Sequence, residues 1–476
     1  MPAKLNTPRL FIAVLLSGFL FSVSGWTNTS DSSVSPETAL QMLQEGNARF
    51  VTGNRIFPNM DIDRIHEVAS GQFPFATVIT CSDSRVSPEH LFDRGLGDIF
   101  TIRVAGNVCD IDEIGSIEYG VDHLGTPVLV VLGHSSCGAV TAVVTKAEVH
   151  GSIPSLVDNI IPAVKTAELN HPELHGNDLV APAVEANVWQ SIQDLLKQSE
   201  ATRKRYESGK LKIIGAVYQL EDGRVDWLGE YPGKDNLRGK FKINSSIKND
   251  ENASSLPAIQ NAKDAMATLK EGNARFVQNN RIYPNQNSTR IQDIANGQHP
   301  FVTLITCSDS RVPPEHLFDL GLGDVFVIRV AGNVCDIDEI GSIEYGVDHL
   351  GTPLLIVLGH TSCGAVTAVV TEAELHGSIP QLVDNIKPAV EKAQASNPNL
   401  HGKDLVPASV KANVWQSISD LFQNSSATRN LVQEGKLEAV GAIYDLADGK
   451  IIWLGEHPSQ NVLLDSFSNR ANEHNH

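Results

Sequence analysis

Basic residues are scarce in this sequence. Lysine and arginine together number 37, against 56 aspartate and glutamate residues, which gives a formal net charge of −19 at pH 7. Nucleic acids and anionic membrane surfaces attract proteins through positively charged surfaces. The charge balance therefore argues against a nucleic-acid partner and against an anionic membrane as partner.

Long apolar runs are scarce too. The one prominent run, residues 10–23, spans about 14 residues, which is short of the roughly 20 that a helix needs to cross a bilayer. Lys4 and Arg9 precede the run and small residues end it. This order is typical of a secretory signal peptide, which we predict over residues 1–25. We expect an exported protein, periplasmic or secreted, without membrane contact after cleavage; an uncleaved anchor is the alternative.

The chain contains the same unit twice. Residues 43–50 read LQEGNARF and recur as LKEGNARF at 269–276, and TCSDSR at 80–85 recurs at 306–311. Both pairs are 226 positions apart (269 − 43 and 306 − 80), so no net insertion separates these landmarks. A repeat of this length is a whole domain. We predict a first domain over residues 36–230 and a second over 262–456. Residues 231–261 form the predicted linker between them, and 457–476 form a predicted C-terminal tail.

Short apolar runs alternate with helical patterns inside each copy. In the first copy the runs that predict strands lie at 75–80, 98–103, 128–132 and 213–218. Helical patterns between several of them lie at 113–124, 138–148 and 184–197. Continuous apolar strands separated by helices indicate a mainly parallel sheet with both faces covered. The predicted fold class is α/β, with two repeats of a mainly parallel central β-sheet flanked by helices.

Chemically reactive side chains follow two of the predicted strands. Cys81, Asp83 and Arg85 come after the first strand, and His134 and Cys137 come after the third. In open α/β sheets, functional groups collect where the strands end at their carboxyl edge. Zinc accepts thiolate and imidazole ligands together, and a catalytic zinc site has three protein ligands and an open position. We therefore predict a zinc site formed by the two cysteines and the histidine.

The second copy repeats the whole set, so we expect two zinc ions per chain. The repeated residues are Cys307, Asp309, Arg311, His360 and Cys363. Three interpretations stay open at each site. Paired with its arginine, the aspartate leaves the fourth zinc position to water. Turned toward the metal, it closes a purely structural zinc site. The third interpretation is structural cysteines or a disulfide.

These residues lie in motifs that together resemble the β-class carbonic anhydrases. The motifs are CSDSR, RVAGN, SIEYG and GHxxCG, and the similarity covers nearly all of each copy. The resemblance implies that the family's zinc ligands fall on Cys81, His134, Cys137, Cys307, His360 and Cys363. It implies catalytic dyads at Asp83–Arg85 and Asp309–Arg311. It also implies a substrate pocket in each copy, lined by a glutamine and two aromatic residues: Gln72, Phe100, Tyr119, Gln298, Phe326 and Tyr345.

The resemblance implies a reaction as well, the reversible hydration of carbon dioxide to bicarbonate and a proton by zinc-bound hydroxide in both repeats. We expect Gln72 to hold this small-molecule substrate near Asp83, inside a wall of Phe100 and Tyr119. Hydrolysis of carbonyl sulfide or carbon disulfide at the same zinc is one alternative, and non-catalytic binding of bicarbonate or zinc is another. Because family members pair as dimers, we expect a pseudo-twofold dimer of the two repeats within the chain. A homodimer of chains would then match four single-domain subunits.

The remaining cysteines and some histidines carry weaker signals. Cys109 and Cys335 match no zinc ligand of the family, and we predict buried free thiols, with a disulfide between the copies as the alternative. We predict that His90, His123 and His150 are structural or surface residues, with proton transfer as the alternative.

One departure from the family concerns regulation. Members that bind bicarbonate at a separate regulatory site have a tryptophan three residues before the first cysteine. This chain has Val78 and Leu304 at those places, so we expect no inhibition through such a site.

Overall fold

The computed structural model describes residues 34–231 and 256–465. The predicted signal peptide lies outside the described residues, as do most of the predicted linker and residues 466–476 of the predicted tail. The two repeats belong to one compact unit. Within the described ranges, no helix combines the length and the apolar character that crossing a membrane requires.

Strands from both copies form one ten-stranded sheet within the part of the chain that the structure describes. The strands of the first copy are β1 (Ala76–Thr80), β2 (Ile99–Arg103), β3 (Val128–His134), β4 (Lys212–Tyr218) and β5 (Val225–Glu230). Those of the second copy are β6 (Val302–Thr306), β7 (Val325–Arg329), β8 (Leu354–His360), β9 (Glu438–Tyr444) and β10 (Ile451–Gly455). Their order is β10-β9-β8-β6-β7-β2-β1-β3-β4-β5. In each copy the first four strands are parallel, and the fifth is antiparallel to its neighbour.

Helices flank the sheet in both copies. Those of the first copy are α1 (Pro36–Val51), α2 (Ile62–Val68), α3 (Pro88–Leu91), α4 (Ile111–Glu118), α5 (Gly138–Thr145), α6 (Ile153–Asp158), α7 (Ile161–Asn170), α8 (Val180–Gln198) and α9 (Glu200–Glu207). Those of the second copy are α10 (Ala262–Val277), α11 (Ser288–Ile294), α12 (Pro314–Leu317), α13 (Ile337–Glu344), α14 (Gly364–Val370), α15 (Ile379–Asp384), α16 (Lys387–Ser396), α17 (Val406–Asn424) and α18 (Ser426–Gln433).

The structure confirms the predicted fold class, a mainly parallel sheet with flanking helices. The four predicted strands of the first copy correspond to β1, β2, β3 and β4. These strands are buried along almost their whole length, which explains why they read as continuous apolar runs. The sequence analysis missed β5, because an aspartate and a glycine interrupt its apolar residues.

The two copies join in the middle of the sheet. Strands β2 and β7 are antiparallel neighbours that pair at Arg103 and Arg329, so a pseudo-twofold axis relates the copies. Both arginine side chains are fully buried, and each forms an ion pair with the other copy. Arg103 pairs with Glu315 at 2.5 Å, and Arg329 pairs with Glu89 at 2.6 Å. Charge pairing therefore links the repeats at the centre of the shared sheet.

The first turns of α4 and α13 place buried carboxyl groups at the junction of the copies. Asp112, Glu113, Asp338 and Glu339 are each at most 6% exposed. Burial and then neighbouring carboxylates raise the pKa of Asp112 and of Asp338 to about 7. Burial and carboxylates of the other copy raise the pKa of both glutamates well above the usual range. Ionisation of this cluster therefore costs free energy in the folded protein.

We expect the double variant Asp112→Asn, Asp338→Asn to be more stable than the wild type at pH 8. A carboxyl whose folded pKa is raised contributes stability below its unfolded pKa, near 4, and loses it as pH rises to its folded pKa, here about 7. The asparagine side chains do not ionise and so remove this loss. Relative to the wild type, the free energy of unfolding should rise by about 1–3 kcal/mol at pH 8 and change little at pH 4.5. Urea unfolding at both pH values, with the exposed Asp226→Asn as control, measures the difference. A double variant that is less stable at pH 8 would contradict the expectation.

Candidate active site

Potential metal ligands meet at the carboxyl ends of two parallel strands in each copy. Cys81 follows β1, His134 ends its neighbour β3, and Cys137 immediately precedes α5. Their two Sγ atoms and an imidazole nitrogen all lie within 4.8 Å of one another. The second copy brings together the equivalent residues in the same way: Cys307, His360 and Cys363. The structure thus assembles both sets of residues that the sequence predicted as zinc ligands.

The donor atoms of these groups fit zinc. Nδ1 of His134 lies 2.9 Å from the carbonyl oxygen of Ser135 and must donate to it, which leaves Nε2 with a free lone pair. Nε2 of His134 and Nε2 of His360 are buried and have no hydrogen-bond partner among the described residues. A buried imidazole nitrogen beside two buried sulfurs, oriented by a carbonyl on its other side, is typical of a zinc ligand. Two Cys–His–Cys groups, one per repeat, therefore fit zinc.

The two sulfurs of each group lie within 4.8 Å of each other, and each affects the pKa of the other. A hydrogen bond between them lowers the pKa of Cys81 and raises the pKa of Cys137. The backbone amide of Gly106 also donates to Sγ of Cys81, at 3.2 Å. The same relations hold in the second copy for Cys307, Cys363 and Gly332. These contacts favour thiolate at the first cysteine of each site.

An arginine holds the aspartate of each site. Arg85 donates from Nε and Nη2 to the two carboxylate oxygens of Asp83, at 2.8 and 2.7 Å. Burial raises the pKa of Asp83, but the hydrogen bonds from Arg85 and the charges of His134 and Arg85 together outweigh it, and the pKa lies below its usual value. Oδ2 of Asp83 lies 3.8 Å from Nε2 of His134. Because both oxygens are engaged, this geometry favours the interpretation that leaves the fourth zinc position to water. Arg311 engages Asp309 in the same way.

The glutamines lie in the opposite sites from those that we expected. We grouped Gln72 with Asp83, but its Nε2 donates to Oδ2 of Asp309 in the second copy, at 2.9 Å. Gln298 donates in turn to Oδ2 of Asp83, at 3.0 Å. Oε1 of each glutamine accepts from the amide and the hydroxyl of the serine after that aspartate. The glutamines therefore cross the junction, because the pseudo-twofold axis brings each copy's α2–β1 or α11–β6 connection against the other copy's site.

A cavity of about 750 Å³ lies beside Cys81 and Asp83. The second copy contributes Gln298, Phe326 and Tyr345 to its lining. The aromatic residues that we expected at this site belong to the first copy, so this grouping was wrong. The first site therefore combines metal ligands of the first copy with a pocket that both copies line, and its glutamine, phenylalanine and tyrosine come from the second copy.

The expected wall of the first site, Phe100 and Tyr119, lies instead toward the second site. The two rings are neighbours, with centroids 5.8 Å apart. Burial raises the pKa of Tyr119, and the nearby charges of Asp309, Cys363 and Cys307 add to this effect. The backbone amide of Thr101, next to Phe100, donates to the carbonyl oxygen of Ser308 at 3.3 Å. Spacing along the chain gave no sign of this exchange, because both copies have the same motifs.

The structure also places the remaining cysteines and histidines. Cys109 and Cys335 are buried and free, which confirms the prediction of buried free thiols. His90 is buried with its ring against that of His316, at a centroid distance of 4.7 Å across the junction.

Two other histidines lie around the cavity of the first site. His150 lines it together with His349, the second-copy equivalent of His123. His349 stacks on Tyr345 with a centroid distance of 4.7 Å, and His123 stacks on Tyr119 at the same distance. The prediction for these histidines, structural or surface residues with proton transfer as the alternative, stays a prediction.

Arg103 and Arg329 are site residues that the sequence analysis missed. Arg103 donates from Nε to the carbonyl oxygen of Cys81, at 3.2 Å, and from Nη2 to that of Asp83, at 2.9 Å. Arg329 makes the equivalent bonds in the second copy. One feature of the sequence could have identified them: each is a charged residue at the end of an apolar strand. A charged side chain that is buried there requires a partner. That partner lies in the other copy.

The mainly parallel sheet that the two copies share and its two Cys–His–Cys groups define an α/β protein with two sites that fit zinc. The family model for carbonic anhydrase matches residues 76–225 and 302–451. The chain belongs to the carbonic anhydrase family and is an enzyme with two β-class domains in tandem.

Single-domain relatives match one copy at a time. Carbonic anhydrase 2 of Mycobacterium tuberculosis is 39% identical over 195 residues, which cover 40% of this chain and 91% of that protein. The carbonic anhydrase of Mycolicibacterium smegmatis is 38% identical over 196 residues, which cover 40% of this chain and 92% of that protein. Among solved structures, the β-carbonic anhydrase CafA of Aspergillus fumigatus is 30% identical, with a TM-score of 0.35, over 43% of this chain and 97% of that one.

Proposed function

We propose that this enzyme hydrates carbon dioxide reversibly to bicarbonate and a proton, with an active zinc site in each repeat. In this proposal Cys81, His134 and Cys137 hold one zinc ion, and the equivalent residues of the second copy hold the other. The observation that carries the proposal is the completeness of both sites. Each combines a Cys–His–Cys group, an aspartate held by arginine and a glutamine from the opposite copy.

Each protein group of the first site has a separate role in the proposed reaction. Zinc held by these ligands would lower the pKa of a water molecule toward about 7 and so supply a hydroxide nucleophile near neutral pH. Asp83, kept ionised by Arg85, would accept a hydrogen bond from this nucleophile and orient it toward the substrate. Nε2 of Gln298 donates to Oδ2 of Asp83 and helps to fix this carboxylate, and the wall of Phe326 and Tyr345 provides an apolar surface for carbon dioxide.

The test compares the wild type with Cys81→Ser, Cys307→Ser and the double variant. Each serine removes a thiolate from one zinc site, so we expect each single variant to lose about half of the activity and of the bound zinc. The double variant should lose nearly all of both. Stopped-flow hydration of carbon dioxide, with metal analysis of the same samples, measures the two quantities.

Three outcomes would contradict the proposal. Full activity in one single variant would mean that only the other repeat is active. Two bound zinc ions without turnover would indicate a non-catalytic zinc protein. Turnover of carbonyl sulfide or carbon disulfide without turnover of carbon dioxide would assign the sites to hydrolysis of those substrates instead.

A further inference from the structure

The turn between β2 and α4 connects a metal-binding sulfur of one copy with a hydroxyl group of the other. The amide of Ala105 donates to Oγ of Ser342, at 3.0 Å. The next amide, that of Gly106, donates to Sγ of Cys81, at 3.2 Å. Ser342 lies on α13 of the second copy and is fully buried. Two successive amides of this turn therefore have partners in different repeats. The amide of Ala105 binds a helix of the second repeat, and the amide of Gly106 binds a potential zinc ligand of the first.

The rest of this turn is fixed within its own copy. Gly106 has a φ of 74°, and a Cβ atom there would lie within 2.7 Å of Ile160 and 3.1 Å of Ala139. Both features require glycine. The carbonyl oxygen of Gly106 accepts from Nδ2 of Asn187 on α8, at 2.8 Å. The turn is thus anchored on its carbonyl side by its own copy and on its amide side by the opposite copy.

The second site has the equivalent arrangement, related by the pseudo-twofold axis. The amide of Ala331 donates to Oγ of Ser116 on α4, at 2.9 Å, and the amide of Gly332 donates to Sγ of Cys307, at 3.3 Å. Ser116 is fully buried as well. The exchange of hydroxyl groups across the junction is therefore reciprocal.

We propose that Ser342 is a positioning residue of the first site and Ser116 a positioning residue of the second. Each serine fixes the turn whose glycine amide donates to the zinc-binding sulfur of the opposite repeat. Such a hydrogen bond draws negative charge from the thiolate and fixes its direction, which tunes the metal that it holds. The inference rests on the proposed function of the two zinc sites and extends it to the residues that hold the sulfurs in place.

The physical consequence of losing the hydroxyl follows from burial. In Ser342→Ala the amide of Ala105 would be buried without a partner, which is costly. The turn would move to satisfy that amide, and the neighbouring amide of Gly106 would leave Sγ of Cys81. The first site would then hold zinc less firmly, although the substituted residue belongs to the second repeat.

The experiment reads Ser342→Ala in two backgrounds, Cys307→Ser, which keeps the first site, and Cys81→Ser, which keeps the second. We expect release of zinc to a chelator to be about tenfold faster in the first background, with an alkaline shift in the pH midpoint of hydration. In the second background the rate of zinc release and the pH midpoint of hydration should both change much less. Ser116→Ala should give the reverse pattern.

Two results would overturn the inference. An equal effect of Ser342→Ala in both backgrounds would mean a general structural role, and no effect in either would mean that the hydroxyl does not fix the turn. An inactive Cys307→Ser parent would contradict the proposed function of the first site instead. Zinc release from that parent and from its serine variant would still decide the role of Ser342.

Discussion

Combining Cys81→Ser with Gln72→Ala is expected to remove nearly all activity, although both changes lie in the first repeat. Cys81 belongs to the first site, whereas the Gln72 side chain donates to Asp309 of the second and accepts from the amide and hydroxyl of Ser310. Loss of one preorganised donor in an active site typically lowers kcat by about 10²–10³. With the first site inactive and the second impaired, we expect about 0.05–0.5% of wild-type activity in stopped-flow hydration.

The matched control is Cys81→Ser with Gln298→Ala. These changes lie in different repeats, but the structure assigns both to the first site, because Gln298 donates to Asp83. The second site keeps all its groups, so about half of the activity should remain, as in Cys81→Ser alone. The opposite ranking of the two double variants would show that each glutamine serves its own repeat.

Replacing Arg103 by methionine is expected to destabilise the protein by about 3–5 kcal/mol. The arginine is fully buried, pairs with Glu315 at 2.5 Å and donates to carbonyl oxygens of the segment that follows β1. Without it, the Glu315 carboxylate stays buried without a compensating charge. Oε2 of Glu315 already has no hydrogen-bond partner among the described residues. Urea unfolding followed by circular dichroism measures the loss.

Two further variants separate charge burial from other causes. Lys204→Met breaks a surface ion pair with Glu200, in which both side chains are about 70% exposed, and should leave the free energy of unfolding almost unchanged. Adding Glu315→Leu to Arg103→Met removes the uncompensated carboxylate and should recover part of the loss. If Arg103→Met were no less stable than Lys204→Met, the central ion pairs would not hold the repeats together.

Much of the fold and the convergence of the metal ligands could be predicted from the sequence. Cys81 and His134 come at the ends of apolar runs, and neighbouring parallel strands bring such ends together. The runs themselves are visible because both faces of the strands are covered. Antiparallel β5 lies at the edge of the sheet, where its apolar residues are interrupted, and it was missed.

The assignment of residues to sites could not be predicted in the same way. Gln72 fits either aspartate equally well in a sequence that repeats at a fixed offset. The choice between Asp83 and Asp309 depends on which strands meet at the junction, where β2 and β7 pair at Arg103 and Arg329. Apolar patterns predict which strands are buried, but they do not predict which strand lies beside which.

The position of the junction between β2 and β7 also limits how this gene can evolve. Deleting one repeat would leave an unpaired edge strand that ends in an arginine and would strip the surviving centre of its glutamine and aromatic wall. A shortened descendant would have to restore these contacts by self-association. A substitution in either half of the coding sequence can therefore alter the site whose metal ligands the other half encodes.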